Sequence, residues 1–373
     1  MKLPHQLHRI DRLKAMQKAA KTDALLFTSA STIKWLSGYF YNFEIGPSPF
    51  QVLPAALLVD PTGHMSMVIA DNELFPEPSP DSVLSVERYS SYVHEKPLNY
   101  TYQFLDKLHK VIEENGLKKA YLGIELNSLP FVIVQSLQSK YPGIILGDIS
   151  QEIVKLKAVK DNDEIENIRM ATALCDIGQS AVVKHARAGI TELELFNLVR
   201  LEIEAEAGTR VPVMVDLVSG ARTASGGGIP SNRVIQNGDT VLSDLTPCLN
   251  GYWGDSCNTI VVGEPSYEYR QTFNTVKEAL DIAINAIRPG VKAMKIDSLM
   301  RNHVGGFPHH GGHGVGTMNH EEPRIVPYSD MELLQGMVIA LEPAIYKNDY
   351  GIRLEHMVVV TESGCDLLTK FNH

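Results

Sequence analysis

Paired cysteines are missing from this chain. Its four cysteines, Cys175, Cys248, Cys257 and Cys365, are scattered over 373 residues with no Cys-x-x-Cys spacing. That excludes a disulfide framework and points to reduced thiols in a cytoplasmic protein. Long apolar runs are missing too. The longest strongly apolar stretch, residues 52–59, is far shorter than the roughly 20 residues of a membrane helix. The first eight residues, Met1-Lys2-Leu3-Pro4-His5-Gln6-Leu7-His8, carry no apolar core of signal-peptide length. Positive charge is in deficit: 34 Lys and Arg against 44 Asp and Glu give a formal charge of -10. No basic cluster offsets it, so neither nucleic acid nor a membrane is an expected partner. Nor is there a phosphate loop, because Gly226-Gly227-Gly228 lacks the Lys-Ser/Thr ending. The glycines of residues 311–316 do not open a helix within a βαβ unit, which excludes a dinucleotide fingerprint.

What remains is an ordinary globular balance, 44% hydrophobic and 21% charged, in a chain long enough for two domains. Residues 1–155 read as a small α/β domain. A helix is expected over residues 5–20 and a strand over 24–28, followed by a hairpin of residues 52–60 and 65–71 turning at Pro61-Thr62-Gly63. The apolar spacing of Phe104, Leu105, Leu108, Val111 and Ile112 predicts a helix over 102–115, ended by Gly116. Residues 119–125 read as a strand and 89–102 as a loop. A charged boundary lies at 153–162. Beyond it, residues 160–373 form the second domain, with helices expected over 163–186, from the Thr191/Glu194 capping box to about 207, and over 265–287 before Pro289-Gly290.

The chemistry gathers in that second domain. Asp244, Asp255, His313, Glu342 and Glu355 are four carboxylates and one imidazole, a hard donor set that suits two divalent metal ions. Two hairpins would bring them together. Folding about Asn250-Gly251 pairs positions summing to 501, which sets Asp244 opposite Cys257 and Asp255 on the same face. Folding strands 337–346 and 351–361 about residues 347–350 pairs positions summing to 697, which opposes Glu342 and Glu355. Like charges so placed in apolar surroundings are expensive without a shared cation. Residues 307–323 add four of the thirteen histidines in a glycine-rich segment that lets backbone approach a site closely.

The order of Asp, Asp eleven residues on, His in Gly-His-Gly-Val-Gly, Glu in Glu-Pro and Glu in Arg-x-Glu resembles the pita-bread metallopeptidases. These include Xaa-Pro aminopeptidase, Xaa-Pro dipeptidase (prolidase) and methionine aminopeptidase; residues 1–155 resemble the creatinase-type N-terminal domain of the proline-directed members. The resemblance implies an α/β N-terminal domain followed by an α+β pita-bread domain, usually as a homodimer. It implies a centre of two ions (manganese, cobalt, iron or zinc) held by Asp244, Asp255, His313, Glu342 and Glu355. The implied activity is hydrolysis of Xaa-Pro bonds in a small peptide by a metal-bridging hydroxide. Glu342 would move the proton, and His309 and His320 would serve the reacting carbonyl. Arg324 would read a dipeptide's carboxylate, and Arg353 would stand at the substrate or behind a ligand carboxylate. One departure stands out. The family usually has a histidine seventeen residues before the first aspartate, and Gly227 is found here. That keeps a second expectation in view, a metal-dependent hydrolase of a modified amino acid or other small amide.

Overall fold

The computed structural model describes residues 4–40, 55–79 and 81–373. Two units divide the chain, Met1–Lys157 and Ala158–His373. The start of the expected first hairpin, residues 52–54, lies outside the described residues.

The first unit runs α1 (Pro4–Ala20), β1 (Ala24–Phe27), α2 (Ala30–Ser37), β2 (Ala55–Val59), β3 (Met65–Ala70), β4 (Leu84–Tyr89), α3 (Tyr100–Glu114), β5 (Tyr121–Ile124), α4 (Phe131–Lys140), β6 (Ile145–Asp148) and α5 (Ser150–Ala158). Its strands form one sheet in the order β4-β3-β2-β1-β5-β6. The β2–β3 turn is fixed by Asp60, whose Oδ1 accepts from the Thr62 amide at 2.8 Å, with Gly63 at φ +88°. Alternate residues of β1 serve opposite faces: Leu26 packs with Leu58, Val68 and Phe104, while Leu25 and Phe27 pack with Leu57 and Met67. The segment expected to be a loop is bounded by β4 and α3, so it spans only residues 90–99. Asn99 caps α3, its side chain accepting from the Tyr102 amide at 2.9 Å.

The second unit begins with α6 (Asn162–His185) and α7 (Glu192–Ala207), then β7 (Val213–Ser219), a 3₁₀ turn (Gly220–Ser225), β8 (Thr240–Leu249), β9 (Tyr252–Trp253) and β10 (Ser256–Val261). Next come α8 (Tyr267–Ala286), α9 (Ala293–Val304), β11 (Gly312–Gly314) and β12 (Glu321–Ile325). It ends with β13 (Val338–Leu341), β14 (Ala344–Tyr346), β15 (Gly351–Arg353), β16 (His356–Val360) and β17 (Cys365–Leu367). The capping box of α7 is present, Glu194 accepting from the Thr191 amide at 2.7 Å and Thr191 from the Glu194 amide at 3.1 Å. Two antiparallel sheets carry the site, β10-β8-β7 and β12-β11-β13-β16-β17, with β14 and β15 paired separately.

Both hairpins have the register that the sequence dictates. Asn250 and Gly251 take φ +52° and +77°, as a type I′ turn requires, and Cys257 pairs with Asp244. In the second, Leu341 pairs with His356 and Ala344 with Arg353, sums of 697 on either side of Glu342 and Glu355. These two strands are interrupted, not continuous as expected. Pro343 has no N–H for the ladder, the Glu342 amide turns to Gly311 O at 3.0 Å, and the Glu355 amide turns to Cys257 O at 2.9 Å. The first of these bonds extends the β11–β13 ladder by one residue, and the second ties the hairpin to β10 of the other sheet.

Candidate metal centre

Helix α6 sets the first hairpin from behind. Buried Gln179 donates to Ser243 O at 3.1 Å and to Ser256 O at 3.0 Å, holding β8 and β10 at a fixed spacing. Asp255 precedes β10 and is 4% exposed; Thr246 donates to its Oδ1 at 3.0 Å. Helix α9 sets the histidine segment. Arg301, paired with Asp297 at 2.8 Å, donates to the carbonyls of Phe307 and His309. Strand β11 then passes so close to its neighbours that only glycine fits beside His313. A Cβ on Gly312 would lie 2.1 Å from Ala340 O, and one on Gly314 would lie 2.2 Å from Glu322 O.

These elements bring the five expected ligands to one place. His313 Nε2 lies 3.5 Å from Asp255 Oδ2 and 3.8 Å from Glu342 Oε1. Asp255, His313 and Glu355 can present donor atoms all within 4.8 Å of one another. The Nδ1–H of His313 donates to Gly314 O at 3.0 Å, which leaves the Nε2 lone pair for a cation. Buried Asp244 Oδ1 and Glu355 Oε2 have no hydrogen-bond partner. Glu342 Oε1 is 2.9 Å from His310 Nε2 but off hydrogen-bond geometry.

Electrostatics points the same way. Against the four carboxylates stands Arg353, whose Nη2 pairs with Asp244. Burial pushes Asp255 and Glu355 well above the usual carboxylate range, and neighbouring carboxylates add to it. Burial raises Asp244 to about 6 despite Arg353. Burial would raise Glu342 as well, yet His310, Arg353 and His313 together bring it down to about 2. Burial lowers His313 to about 4, so its imidazole is neutral. A cluster that holds protons and keeps unpartnered buried oxygens fits divalent cations.

The other expected residues fall around this cluster. His309 donates from Nδ1 to His310 O at 2.7 Å and accepts the Tyr346 hydroxyl at Nε2, 2.8 Å away, so no ring N–H is left to donate. His320 is exposed, its ring centroid 4.1 Å from that of His313, and the Asn319 amide meets its Nδ1 at 3.0 Å. Arg324 is exposed on β12. Arg353 is 6% exposed and its donors turn inward: besides Asp244 it reaches Gly226 O at 2.7 Å, Cys257 Sγ at 3.4 Å and Tyr346 at 3.5 Å. Four of its five N–H donors are so engaged, and Nη2 also lies 3.9 Å from Asp216 Oδ2, which sets it behind the ligand carboxylates.

Sequence reading missed several participants. His310 lies in the histidine segment, where no spacing sets it apart. Tyr346 was hidden in an apolar strand. Asp216 sits on β7 directly opposite Asp244, in a strand not foreseen. A Cβ on Gly227 would lie 2.0 Å from Asp216 Oδ2, so this carboxylate fills the space beside the glycine. Fully buried Lys160 meets Glu321 Oε2 at 3.0 Å, and Glu321 in turn accepts from the Met318 amide at 3.1 Å, bracing the loop that carries His320.

The model of metallopeptidase family M24 matches residues 166–362, and that of the creatinase/prolidase N-terminal domain matches residues 9–159. A Xaa-Pro dipeptidase of Pyrococcus horikoshii is 32% identical over 273 residues, 71% of this chain and 76% of that one. The crystal structure of a prolidase from the same organism has a TM-score of 0.80 at 26% identity, covering 98% of this chain and 99% of the other. An X-Pro aminopeptidase from Thermotoga maritima has a TM-score of 0.80 at 25% identity, covering 97% and 98%.

Proposed function

This chain belongs to metallopeptidase family M24 and has its pita-bread fold, and on that premise we propose that it hydrolyses Xaa-Pro bonds of small peptides with two divalent cations. Asp244, Asp255, His313, Glu342 and Glu355 would hold them. The observation that carries this reading is the convergence of Asp255, His313 and Glu355 within 4.8 Å, beside buried carboxylate oxygens without partners. The oxygen-rich set suits manganese, cobalt, iron or zinc. Bound there, the cations supply Lewis acidity and make hydroxide available near neutral pH.

The chain's own residues do the rest. Glu342, ionised beside His310, Arg353 and His313, would accept the proton of the attacking water and pass it to the leaving nitrogen. With Asn319 donating to its Nδ1, neutral His320 carries its proton on Nε2 and can donate to the developing oxyanion. His309, both nitrogens engaged, lends the pocket its ring and positions Tyr346. Arg353 holds Asp244. Arg324 reads the carboxylate of a dipeptide from the exposed side.

A second reading draws on Gly227. With the Asp216 carboxylate 2.0 Å from where a Cβ would stand, the usual histidine would have to push that side chain aside. Hydrolysis of a modified amino acid or other small amide is the reaction this departure would favour. One experiment tests both. The chelated protein should be inactive, and manganese or cobalt should restore cleavage of Xaa-Pro dipeptides ahead of small amides. Full activity in metal-free protein would sink either reading, and preference for the amides would replace the first with the second.

A further inference from the structure

His313 offers one nitrogen to two sets of donors. Its Nδ1–H is spent on Gly314 O at 3.0 Å, so Nε2 alone can bind a cation. On one side stand Asp255 and Glu355, a buried set with donor atoms within 4.8 Å of one another. On the other stand His310 and His320, which satisfy the same limit with His313. The rings of this second set lie 5.3 Å (His310–His313), 4.1 Å (His313–His320) and 5.6 Å (His310–His320) apart. Its members differ in exposure: His313 is buried, His310 half-buried and His320 open to solvent. Glu342 Oε1, 2.9 Å from His310 Nε2, is close enough to join it.

The two sets differ in chemistry. The first is mostly carboxylate and suits a hard ion such as manganese; the second is imidazole alone and suits zinc, nickel or copper. Three histidines with a position open to water are an established zinc arrangement. We propose that His310, His313 and His320 form a second cation site, selective for zinc-like metals, that competes with the carboxylate site for His313. Occupying it inhibits the enzyme, because His313 leaves Asp255 and Glu355 and His320 is tied down. The inference rests on the metallopeptidase reading of the carboxylate set. It identifies His310 as a metal selector that works by inhibition.

The test uses the full chain loaded with manganese, a Xaa-Pro dipeptide as substrate and zinc as the titrant. Zinc beyond the manganese equivalents should inhibit. His310→Ala should raise the half-inhibiting zinc concentration at least about tenfold relative to its own uninhibited rate, since even the outer partners of a metal ligand are worth about 10- to 100-fold in affinity. Cobalt in the chelated protein gives a readout independent of turnover. The wild type should show the intense visible band of a low-coordinate, nitrogen-rich site above the weak bands of an oxygen-rich one, and His310→Ala should lose the intense band. His310→Gln, which keeps a polar side chain, should behave likewise and guards against misfolding of the alanine variant. Equal zinc sensitivity in wild type and variants, or an unchanged cobalt spectrum, overturns the proposal. If manganese activates none of the proteins, the metallopeptidase reading is what fails, and the cobalt band still decides whether the three histidines bind.

Discussion

The N-terminal sheet and the strands around His313 use their interiors in opposite ways. Strands β1, β2 and β3 are buried along their whole length, and apart from Ser66 their side chains are hydrocarbon or thioether. Glu125, a single carboxyl group drawn inward beside that sheet, is raised by burial; its Oε1 receives the Thr32 hydroxyl at 2.8 Å and its Oε2 has no hydrogen-bond partner. In the C-terminal unit, Asp255, Glu342 and Glu355 are 4%, 6% and 1% exposed, and two of them keep an oxygen with no hydrogen-bond partner. Beside the first sheet an unsatisfied carboxyl oxygen stands alone; in the second unit several converge at one place, where a shared cation would mend them. In one region side chains are chosen for stability, and in the other stability is given up for chemistry.

Substitutions should therefore separate the two regions. Glu342→Gln should lower kcat/KM by about 10²- to 10⁴-fold, the range of a positioned proton carrier. It should lower the thermal stability of the chelated protein near neutral pH, because His310, Arg353 and His313 favour the ionised carboxylate that the substitution removes. Activity within tenfold of wild type would break the comparison at its centre. Lys160→Met probes a polar pair in the same unit that is satisfied. Lys160 and Glu321 are 0% and 7% exposed at their side chains, and stranding one partner of such a pair costs about 3–5 kcal/mol. The double variant Lys160→Met/Glu321→Gln should recover most of that. If the single variant unfolds at the wild-type temperature, the pair is not the brace described here.

In the apolar sheet the outcome reverses. Leu26→Ala removes a side chain that is 1% exposed and packed with Leu58, Val68 and Phe104. A cost of about 2–5 kcal/mol is expected for such a cavity, with the kcat of the folded fraction unchanged. The metal-free centre should also mark itself by pH. Asp244 is raised to about 6 in the folded protein from about 4 in an unfolded chain. Its contribution to stability is full below pH about 4 and is lost as pH climbs through about 6. The midpoint of thermal unfolding of chelated protein should fall over that interval relative to metal-loaded protein, in which the carboxylates are bound ionised. Parallel pH profiles would mean that the carboxylates are not the source of strain.

The same contrast explains what could be read from the sequence. The site was legible because hairpin register is arithmetic: the Asn250-Gly251 turn fixes Asp244 against Cys257, and a loop of known length fixes the strands around Glu342 and Glu355. Helices with strong caps, such as α7, were legible for a similar local reason. Short elements whose pattern is set by tertiary burial were not. Strands β4, β6 and β7 and helices α2, α4, α5 and α9 escaped, and with β7 went Asp216. The breaks at Pro343 and Leu354 depend on hydrogen bonds to Gly311 and Cys257, partners far away in sequence. His310 escaped because its importance lies in ring distances to His313 and His320, which no spacing reveals.

Arg324 gives the smallest effect and the finest distinction, because it belongs to neither interior. It is exposed on β12, and its amide is fixed by Glu322 Oε2 at 2.7 Å while its guanidinium faces water. An exposed ion pair is worth about 0–1 kcal/mol, and a charge-assisted hydrogen bond closed off from water about 1.5–3 kcal/mol. If a dipeptide seals this edge of the site, Arg324→Ala should raise KM about tenfold with kcat little changed. A tripeptide, whose carboxylate lies one residue further on, should be unaffected. Arg324→Lys should restore only part of the loss, because a point charge lacks the two-pronged fit of guanidinium to carboxylate. Thermal stability should not move in either variant. Equal changes for dipeptide and tripeptide would remove Arg324 from recognition, and unchanged KM for both would make it a solvated surface charge.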